Sequence, residues 1–368
     1  MSPQFEIQLV AALVAAACAI PGVFLVLRRM SLVSDAISHT VLFGIVISFM
    51  IVGDLQNPLL FVGAVLSGVL TVSLSELLLR TRRVKADAAI GLVFPALFSI
   101  AVIIISRDFS GVHLDTDAVL LGELAFAPFN RSEVLGVDLP RGVWVMGLIL
   151  VLNIGLIALF YKELKLATFD AGLAAALGFA PGVIHYGLMT MVSVTTVGAF
   201  DHVGAILVVA LMIAPPATAY LLTDRLSWML VLSVLVGVAS AISGYWVSST
   251  IGSVNIAGAM ATMTGVFFLA ALIFAPERGL IAKRLERVRR RQRFAVEMLL
   301  VHLSRHEHES GEEHESEMAH LTGELNWAAG FAQATVERAS HLGWIERQDG
   351  YLQLTNSGRA VAEQVLAR

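Results

Sequence analysis

Nine apolar runs follow one another through the first three quarters of the chain, and they limit its fold more than any other feature. Each run holds 17 to 22 residues, and about 20 residues of α-helix span the ~30 Å hydrocarbon core of a bilayer. Inside hydrocarbon, backbone N–H and C=O groups must bond within the protein, so such runs cross as helices. The Pro- and Gly-containing parts allow some spans to be broken. We therefore expect an all-α polytopic membrane protein with eight or nine transmembrane helices. The runs lie at 7–27, 36–53, 59–79, 88–106, 142–160, 184–200, 203–222, 227–248 and 256–275.

Charge is distributed unevenly along the chain. The 368 residues are 57% hydrophobic and 15% charged, which excludes an ordinary soluble protein. Residues 1–276 hold 27 of the 54 Lys, Arg, Asp and Glu residues, and the last 92 residues hold the other 27. This distribution predicts a transmembrane domain over 1–276, a basic juxtamembrane linker helix over 277–293 and a cytoplasmic domain over 294–368.

Basic residues are concentrated in alternate loops. Cytoplasmic loops of membrane proteins carry an excess of Lys and Arg, so the loops after the first, third, fifth, seventh and ninth runs are predicted to be cytoplasmic. The C-terminal domain is then cytoplasmic as well. The basic residues of these loops are Arg28, Arg29, Arg80, Arg82, Arg83, Lys85, Lys162, Lys165, Arg225 and the cluster from Arg278 to Arg293.

One carboxylate and one imidazole interrupt the second apolar run. Asp35 and His39 are spaced i, i+4, so they share a face of a helix. If that helix begins at Arg28, a rise of about 1.5 Å per residue places the two side chains roughly 10 Å and 16 Å into the membrane. Ionisable groups at that depth usually mark a path for ions or protons, and an N/O pair suits a divalent transition metal. The alternative is a hydrogen-bonded pair that holds two helices together.

Two further acid–histidine groups lie on the predicted outer side. His113, Asp115 and Asp117 belong to the long loop 107–140, which either receives a cation from outside or is a solvated acidic loop. Asp201 and His202 fall at a predicted outer turn. Adjacent residues point in different directions on a helix, so this pair chelates poorly; it either lines an outer vestibule or serves the turn.

Segment 162–182 is too polar and too short to span a membrane. We predict a short cytoplasmic helix there, capped by Asp170 and ended by Gly178 and Pro181. An exposed helix with small residues fits a groove on a partner protein. An ordinary interfacial helix is the alternative.

The C-terminal region has the pattern of a small winged-helix α+β domain. Residues 278–293 carry eight basic residues against one acid, which favours anionic lipid headgroups over nucleic acid as the partner of this helix. Helices are predicted over 294–306, 318–327 and 328–345, followed by a strand–turn–strand segment over 346–355. A last helix, capped by Asn356 or Ser357, completes the winged-helix order.

The predicted winged helix is poorly suited to DNA. Residues 294–368 hold five basic residues against twelve acids, and its recognition helix offers only Gln333, Arg338 and His341 as contact residues. A regulatory or protein-interaction role is favoured, and DNA is an unlikely partner.

A histidine-rich segment precedes the predicted recognition helix. His306, His308 and His314 stand among glutamates. This loop either binds Mn²⁺ or Zn²⁺ weakly or is simply solvated.

Five stretches together resemble the membrane permeases of bacterial ABC-type manganese, zinc and iron(II) uptake systems. They are RRMSLVSDAISHTVLFGI (28–45), KADAAIGLVFPALFSIAVIIIS (85–106), HLDTDAVLLGELAF (113–126), FDAGLAAALGFAP (169–181) and VGAILVVALMIAPPATAYLL (203–222). A sixth stretch, QATVERASHLGWIERQDGYLQLTNSGRAVA, resembles the winged-helix part of diphtheria-toxin-repressor-like metal regulators.

The resemblance implies roles for particular residues. Asp35 and His39 match the Asp-x-x-x-His of the family's translocation path. Residues 169–181 match the coupling helix that docks on the ATPase, with Phe169 and Asp170 at its start and Ala175 and Gly178 at its small-residue positions.

The resemblance also implies partners and a location. These are a second permease chain, ATP-binding subunits and an extracytoplasmic metal-binding lipoprotein, in a bacterial inner membrane. The chain has no G-x-x-x-x-G-K-[ST] motif, so we expect a transporter subunit rather than an enzyme. No permanent cofactor is expected, and the cargo would be Mn²⁺, Zn²⁺ or Fe²⁺. Two alternatives remain: a proton-coupled secondary transporter and a membrane-tethered metal sensor.

Overall fold

The computed structural model describes residues 2–54, 57–108, 124–134, 136–252, 254–306, 323, 325–348 and 351–367. The chain divides into two compact units, Met1–Gly279 and Leu280–Arg368. The helix over 280–293 belongs to the second unit and continues without interruption to His306.

Where the structure describes the first unit, its regular elements are helices apart from one short hairpin. A 3₁₀-helix, Leu124–Phe129, precedes the antiparallel strands β1 and β2, in which Arg131 pairs with Pro140 and Val134 with Val137. The sequence predicts only a loop here. The elements in order are α1 (Pro3–Leu27), α2 (Leu32–Val52), α3 (Leu59–Arg80), α4 (Ala86–Asp108), β1 (Arg131–Val134), β2 (Val137–Pro140), α5 (Arg141–Leu159), α6 (Tyr161–Phe169), α7 (Ala171–Ala176), α8 (Pro181–Leu222), α9 (Leu226–Ile251) and α10 (Ile256–Phe274).

Eight helices within the described residues are long and apolar enough to cross a membrane: α1 to α5 and α8 to α10. The prediction of a polytopic helical membrane protein is confirmed. The single segment predicted over 162–182 consists of two helices, α6 and α7, because the backbone of Asp170 is extended between them.

Helix α8 is a hairpin rather than one straight rod. Gly204 has φ 75° and ψ 170° inside its 42 residues, a conformation that essentially only glycine adopts. The Oγ1 of Thr196 lies 3.8 Å from the Sδ of Met212, whereas 16 residues of straight helix would separate them by about 24 Å. The two arms therefore run side by side and supply two crossings, as the apolar runs 184–200 and 203–222 predict.

Polar contacts mark the two ends of the first unit. At one end, which we call the basic end, Arg28 contacts Thr168, and Arg278 contacts the carbonyl of Tyr220. At the opposite end, Arg131 contacts Glu6. The turn of α8 at Gly204 lies at that opposite end, because a Cβ on Gly142, the second residue of α5, would meet the ring of His202.

Helix α1 is the centre of the first unit. Sixteen of its 25 residues are buried, most of them Ala, Val and other small side chains. It packs against both arms of α8 and against α5 and α9. At Gly22 the approach is so close that an added Cβ would lie 2.0 Å from the carbonyl oxygen of Met212. Small residues allow this backbone contact between membrane helices.

The second unit has a small core of its own. It contains α11 (Leu280–His306), α12 (Ala329–His341), β3 (Ile345–Gln348), β4 (Tyr351–Leu354) and α13 (Asn356–Leu366). Leu299 and Leu300 of α11 are fully buried against Val336, Ile345 and Leu352. Gln348 of β3 pairs with Tyr351 of β4 in an antiparallel hairpin, so the predicted strand–turn–strand segment is confirmed. The cap of α13 is Thr355, not Asn356 or Ser357, because its Oγ1 accepts from the N–H of Gly358.

A complete winged-helix domain is not seen in the described residues. Its predicted second helix covers 318–327, where 318–322 and 324 lie outside them and residues 325–327 are not helical. Asn326 has a left-handed backbone, φ 50°, which interrupts a helix.

Substitution of Gly22 tests the packing around α1. Gly22→Ala forces a methyl group against the backbone of Met212, and overpacking of this kind costs about 1–3 kcal/mol. The midpoint of thermal unfolding in detergent should fall. Gly147→Ala in α5 is the matched control, because its Cβ would meet nothing within 4 Å. Equal midpoints for both variants would contradict the close contact.

Candidate functional site

Asp35 and His39 lie one turn apart on α2, as their spacing predicts. The Nε2 of His39 is 3.6 Å from Oδ1 of Asp35. The helix begins at Leu32 and not at Arg28, so the depth calculated from Arg28 was wrong. Residues 28–31 form a turn, and Arg29 within it has a left-handed backbone with φ 57°.

His39 nevertheless lies near half-height in the first unit, and Asp35 lies one turn closer to the basic end, in the first turn of α2. Thr40, next to His39, bonds to the middle of α3. Its carbonyl accepts from the hydroxyl of Ser67 at 2.8 Å, and the hydroxyl of Thr71 donates to its Oγ1 at 2.9 Å. Ser67 and Thr71 are the ninth and thirteenth of the 22 residues of α3.

The pair faces outward from this chain. The side chains of His39 and Asp35 are 36% and 41% exposed. The imidazole stacks on Phe94 of α4 at 5.5 Å between ring centroids and meets the edge of Phe98 at 6.1 Å. Within the described residues, neither side chain hydrogen-bonds to another helix, so the explanation that they hold two helices together by hydrogen bonds is not supported.

The chemistry of the pair is that of an incomplete metal site. One imidazole nitrogen and one carboxylate group suit Mn²⁺, Zn²⁺ or Fe²⁺, and such ions take four or more ligands. Among the described residues no third His, Cys, Asp or Glu joins them. This chain therefore offers two of the required ligands on an exposed face.

Three charged residues, one of them Arg29, border a cavity of about 260 Å³ between α2, α3 and α4 near the basic end. Glu76 and Asp87 line it from α3 and α4, and His185 lines it from α8. Asp35 and His39 do not line it. The cavity is thus separate from the pair.

The segment resembling a coupling helix presents an exposed apolar face. Oδ1 of Asp170 accepts from the N–H of Leu173 at 2.8 Å and caps α7, as predicted. Phe169 ends α6, Leu173 lies in α7 and Leu177 follows α7, and all three side chains are exposed. Gly178 ends the segment with a left-handed backbone, φ 87°, and Ala175 lies on the exposed surface.

A chain of side-chain contacts joins this segment to α1 and α8. The Nε of Arg28 donates to Oγ1 of Thr168 in α6 at 3.1 Å, and its Nη1 lies 3.3 Å from Nδ1 of His185 in α8. Arg28 is half-buried, and burial lowers the pKa of its guanidinium. One charged side chain therefore ties together three helices at the basic end.

The contacts extend from α8 to α3. Tyr186, which follows His185, donates its hydroxyl to Oε2 of Glu76 at 2.6 Å. Arg80 also reaches Glu76, at 3.4 Å. The basic end thus has a continuous polar network from α6 to α3.

A second ion-pair group lies at the opposite end. Glu6 is 3% exposed, and both of its oxygens accept from Nη1 of Arg131, at 3.0 and 3.1 Å. The Nε of Arg131 donates to Asp138 at 2.8 Å. These hydrogen bonds, to Asp138 first and Glu6 second, raise the pKa of Arg131. They fasten the β1–β2 hairpin to the start of α1.

The other predicted site residues do not form a cluster in the described residues. Asp201 is exposed, and His202 lies in the last turn before Gly204, where its Nε2 is buried without a hydrogen bond in the described part of the chain. His113, Asp115 and Asp117 lie outside the described residues, as do His308 and His314. The backbone of His306 ends α11.

Sequence reasoning did not find the polar networks at the two ends. It assigns no role to His185, and it treats Glu6, Glu76 and Arg131 as ordinary charges. Polar residues near the ends of apolar runs are the signal that was available. Their partners could not be identified, since Arg28 and His185 are 157 positions apart.

These features define a class. The chain is a multi-pass helical membrane protein with an imidazole near half-height and a carboxylate one turn away from it, and such groups mark ion pathways in membrane proteins. The sequence profile of the ABC 3 transport family matches residues 4–275. The chain belongs to this family.

Two proteins with similar sequences are membrane proteins of metal transport systems. The "Zinc transport system membrane protein TroD" of Treponema pallidum (strain Nichols) is 48% identical over 358 residues, which cover 97% of each chain. The "Manganese transport system membrane protein MntD" of Bacillus subtilis (strain 168) is 50% identical over 274 residues, 74% of this chain and 92% of that one. The similarity to TroD therefore includes the second unit.

A solved structure shares the fold. "PsaBC from Streptococcus pneumoniae in complex with Fab" matches with a TM-score of 0.62 and 28% identity, covering 76% of this chain and 94% of that chain. The predicted resemblance to ABC-type metal permeases is confirmed at the level of the family.

Substitution of Glu6 tests the ion pair at the opposite end. Glu6→Gln removes the buried charge that faces Arg131, so the midpoint of thermal unfolding should fall. The control is Asp138→Asn, whose carboxylate is 59% exposed and is screened by water. It should lower the midpoint less. An equal or larger loss for the control would contradict a structural role for Glu6.

Proposed function

We propose that this chain is the membrane permease subunit of an ABC importer in a bacterial inner membrane, which passes a divalent transition metal into the cytoplasm. The observation that carries the proposal is the half-exposed Asp35–His39 pair on α2, with His39 near half-height and Asp35 in the first turn. A separate ATP-binding subunit supplies the energy, since the chain has no P-loop motif. Membership of the ABC 3 transport family supports this assignment.

The conduit lies between two permease chains. Asp35 and His39 face outward from this chain, so only a surface placed against α2 and α4 encloses them. A second permease chain, identical or different, provides that surface and the remaining ligands. Two ligands from one chain bind a metal weakly enough for it to be released, which a transport site requires.

Manganese is the favoured cargo, with zinc and iron(II) as alternatives. The pair offers oxygen and nitrogen without a thiolate, and this ligand set suits Mn²⁺ and Fe²⁺ and is also accepted by Zn²⁺. The relatives are named for zinc and for manganese transport.

Coupling to the ATPase follows the network at the basic end, which is the cytoplasmic side. The exposed apolar face of Phe169, Leu173 and Leu177 docks on the ATPase. Movement of α6 and α7 reaches α1 and α8 through Arg28 and then α3 through the Tyr186–Glu76 bond. Helix α3 carries Ser67 and Thr71, which hold α2 beside the pair. Access to Asp35 and His39 alternates in this way.

The opposite end receives the metal from an extracytoplasmic binding lipoprotein. The hairpin β1–β2 and the turn of α8 lie there. Asp201 and His202 belong to this surface, and His113, Asp115 and Asp117 are proposed to join them as an outer vestibule.

The second unit is proposed to be a winged-helix regulatory module in the cytoplasm, with His306, His308 and His314 as a weak metal-responsive loop. A helix, a two-stranded hairpin and a final helix in the order α12, β3, β4, α13 support this. A DNA-binding sensor is disfavoured, because Arg338 is engaged by Gln292, and Gln333 by Glu337.

Substitution of either proposed metal ligand should strongly reduce metal transport. Asp35→Asn and His39→Gln in proteoliposomes with the ATPase should lower metal uptake at least about tenfold, since loss of a group that only hydrogen-bonds to a metal ligand already costs about 10–100-fold in metal affinity. Ser38→Ala on the buried face of the same helix is the control and should retain uptake. Full uptake by both ligand variants would refute the proposed path.

Loss of Arg28 should uncouple ATP hydrolysis from metal transport. Arg28→Gln removes contacts to Thr168 and His185, and each hydrogen bond from a charged group contributes about 1.5–3 kcal/mol. ATP hydrolysis should continue while metal imported per ATP falls. The control is Arg29→Gln, because Arg29 is exposed beside it. An unchanged ratio of uptake to hydrolysis in Arg28→Gln would reject this route.

A further inference from the structure

Helix α11 has one apolar stripe but two different environments. In the carboxyl-terminal half of α11 the stripe consists of Val296, Leu299 and Leu303, which are buried in the core of the second unit. At helical spacing the same stripe continues backward through Val288, Leu285 and Ile281. Those three side chains are 49%, 53% and 45% exposed. About 12 Å of apolar helix surface therefore lacks a protein partner within the second unit.

The exposed half of α11 is strongly cationic. Residues 280–293 carry seven Lys and Arg residues against one acid, Glu286, which pairs with Arg290. Arg284 and Arg289 flank the apolar stripe on its two sides, and Lys283 and Arg290 lie on the opposite face. A narrow apolar stripe with a basic polar face is the signature of a helix that lies in the plane of a membrane surface.

Arg278, two residues before α11, is fixed within the membrane-spanning unit. Arg278 donates to the carbonyl of Tyr220 and pairs with Asp224, both at the basic end. Its guanidinium also lies over the ring of Tyr220, 4.4 Å from the centroid. Leu280 follows two residues later, so covalent geometry keeps it within about 7 Å of Arg278.

We propose that the amino-terminal half of α11 is a lipid-binding surface, on which Ile281, Leu285 and Val288 enter the headgroup region of an anionic membrane leaflet. The flanking basic residues bind the acidic headgroups. An apolar helix face buries about 5–10 Å into this boundary. The proposal does not depend on which metal the chain carries.

The basic residues and the apolar stripe together favour lipid over nucleic acid or a second copy of α11 as the partner of this surface. Nucleic acid would neutralise the basic residues but would leave Ile281, Leu285 and Val288 in water. A second copy of α11 would cover the stripe but would bring two rows of basic residues together, and like charges repel. An anionic bilayer satisfies both features at once.

Site-directed spin labelling of the full chain in vesicles tests the proposal. In a Cys18→Ala background, labels are placed by Ile281→Cys, Leu285→Cys and Val288→Cys, with Lys283→Cys and Arg290→Cys as opposite-face controls. In vesicles of phosphatidylcholine and phosphatidylglycerol, the three stripe labels should collide with oxygen and be shielded from a water-soluble nickel chelate. The two control labels should show the reverse.

Replacement of phosphatidylglycerol by phosphatidylcholine should remove the shielding of the stripe labels. Equal access of the nickel chelate at all five positions in anionic vesicles would overturn the proposal. So would spin–spin broadening at the stripe positions, which would indicate a second copy of the helix, or shielding that is the same in both lipid compositions. None of these readouts measures metal uptake, so a failure here is distinct from a failure of the transport function.

Discussion

The close approach of α1 to the second arm of α8 sets the geometry of the whole membrane unit. Lipid tails are as apolar as leucine, so membrane helices associate through close packing and interhelical hydrogen bonds rather than through the hydrophobic effect. Gly22 lets the two backbones meet, and Asn153 of α5 donates to the carbonyl of Ala17 at 3.1 Å. Once α1 and α8 are in place, Ser193 of α8 bonds to α3 and α3 bonds to α2. The position of the acid–imidazole pair follows from this series of contacts.

The polar side chains in the middle of the helices of this unit differ in type from those near the helix ends. In the middle of the helices the buried polar residues are mostly Ser, Thr and Asn, and their hydroxyl or amide groups bond to carbonyls. Within the described residues, the charged groups of the spanning helices, Asp35 included, lie near the two ends, and His39 is the titratable group nearest mid-height. Leaving a polar group unpaired in hydrocarbon costs several kcal/mol. A half-exposed imidazole near mid-height, with a half-exposed carboxylate one turn away, therefore requires an aqueous path or a partner.

The sequence predicts those features that depend on local pattern. The apolar runs, the reversal between 200 and 203, the cap at Asp170 and the pairing of β3 with β4 all follow from hydropathy or from short-range turn and capping preferences. The predicted start of the second helix, at Arg28, was wrong because Arg29 adopts a left-handed backbone without being glycine or asparagine. The β1–β2 hairpin was missed because its strands are short, charged and mostly exposed. Contacts such as His39 with Phe94 depend on how helices pack, and no local pattern encodes them.

The turn between α1 and α2 has a mechanical consequence. Arg28 is fixed by two other helices, and α2 begins only four positions later, at Leu32. A connection this short spans at most about 14 Å, so Arg28 and Leu32 cannot move far apart. A displacement imposed on the guanidinium is therefore taken up by α2 as tilt or axial rotation. Successive residues of a helix are about 100° apart around its axis, so a rotation of α2 by a fraction of a turn is enough to carry the imidazole from the exposed face to the packed one.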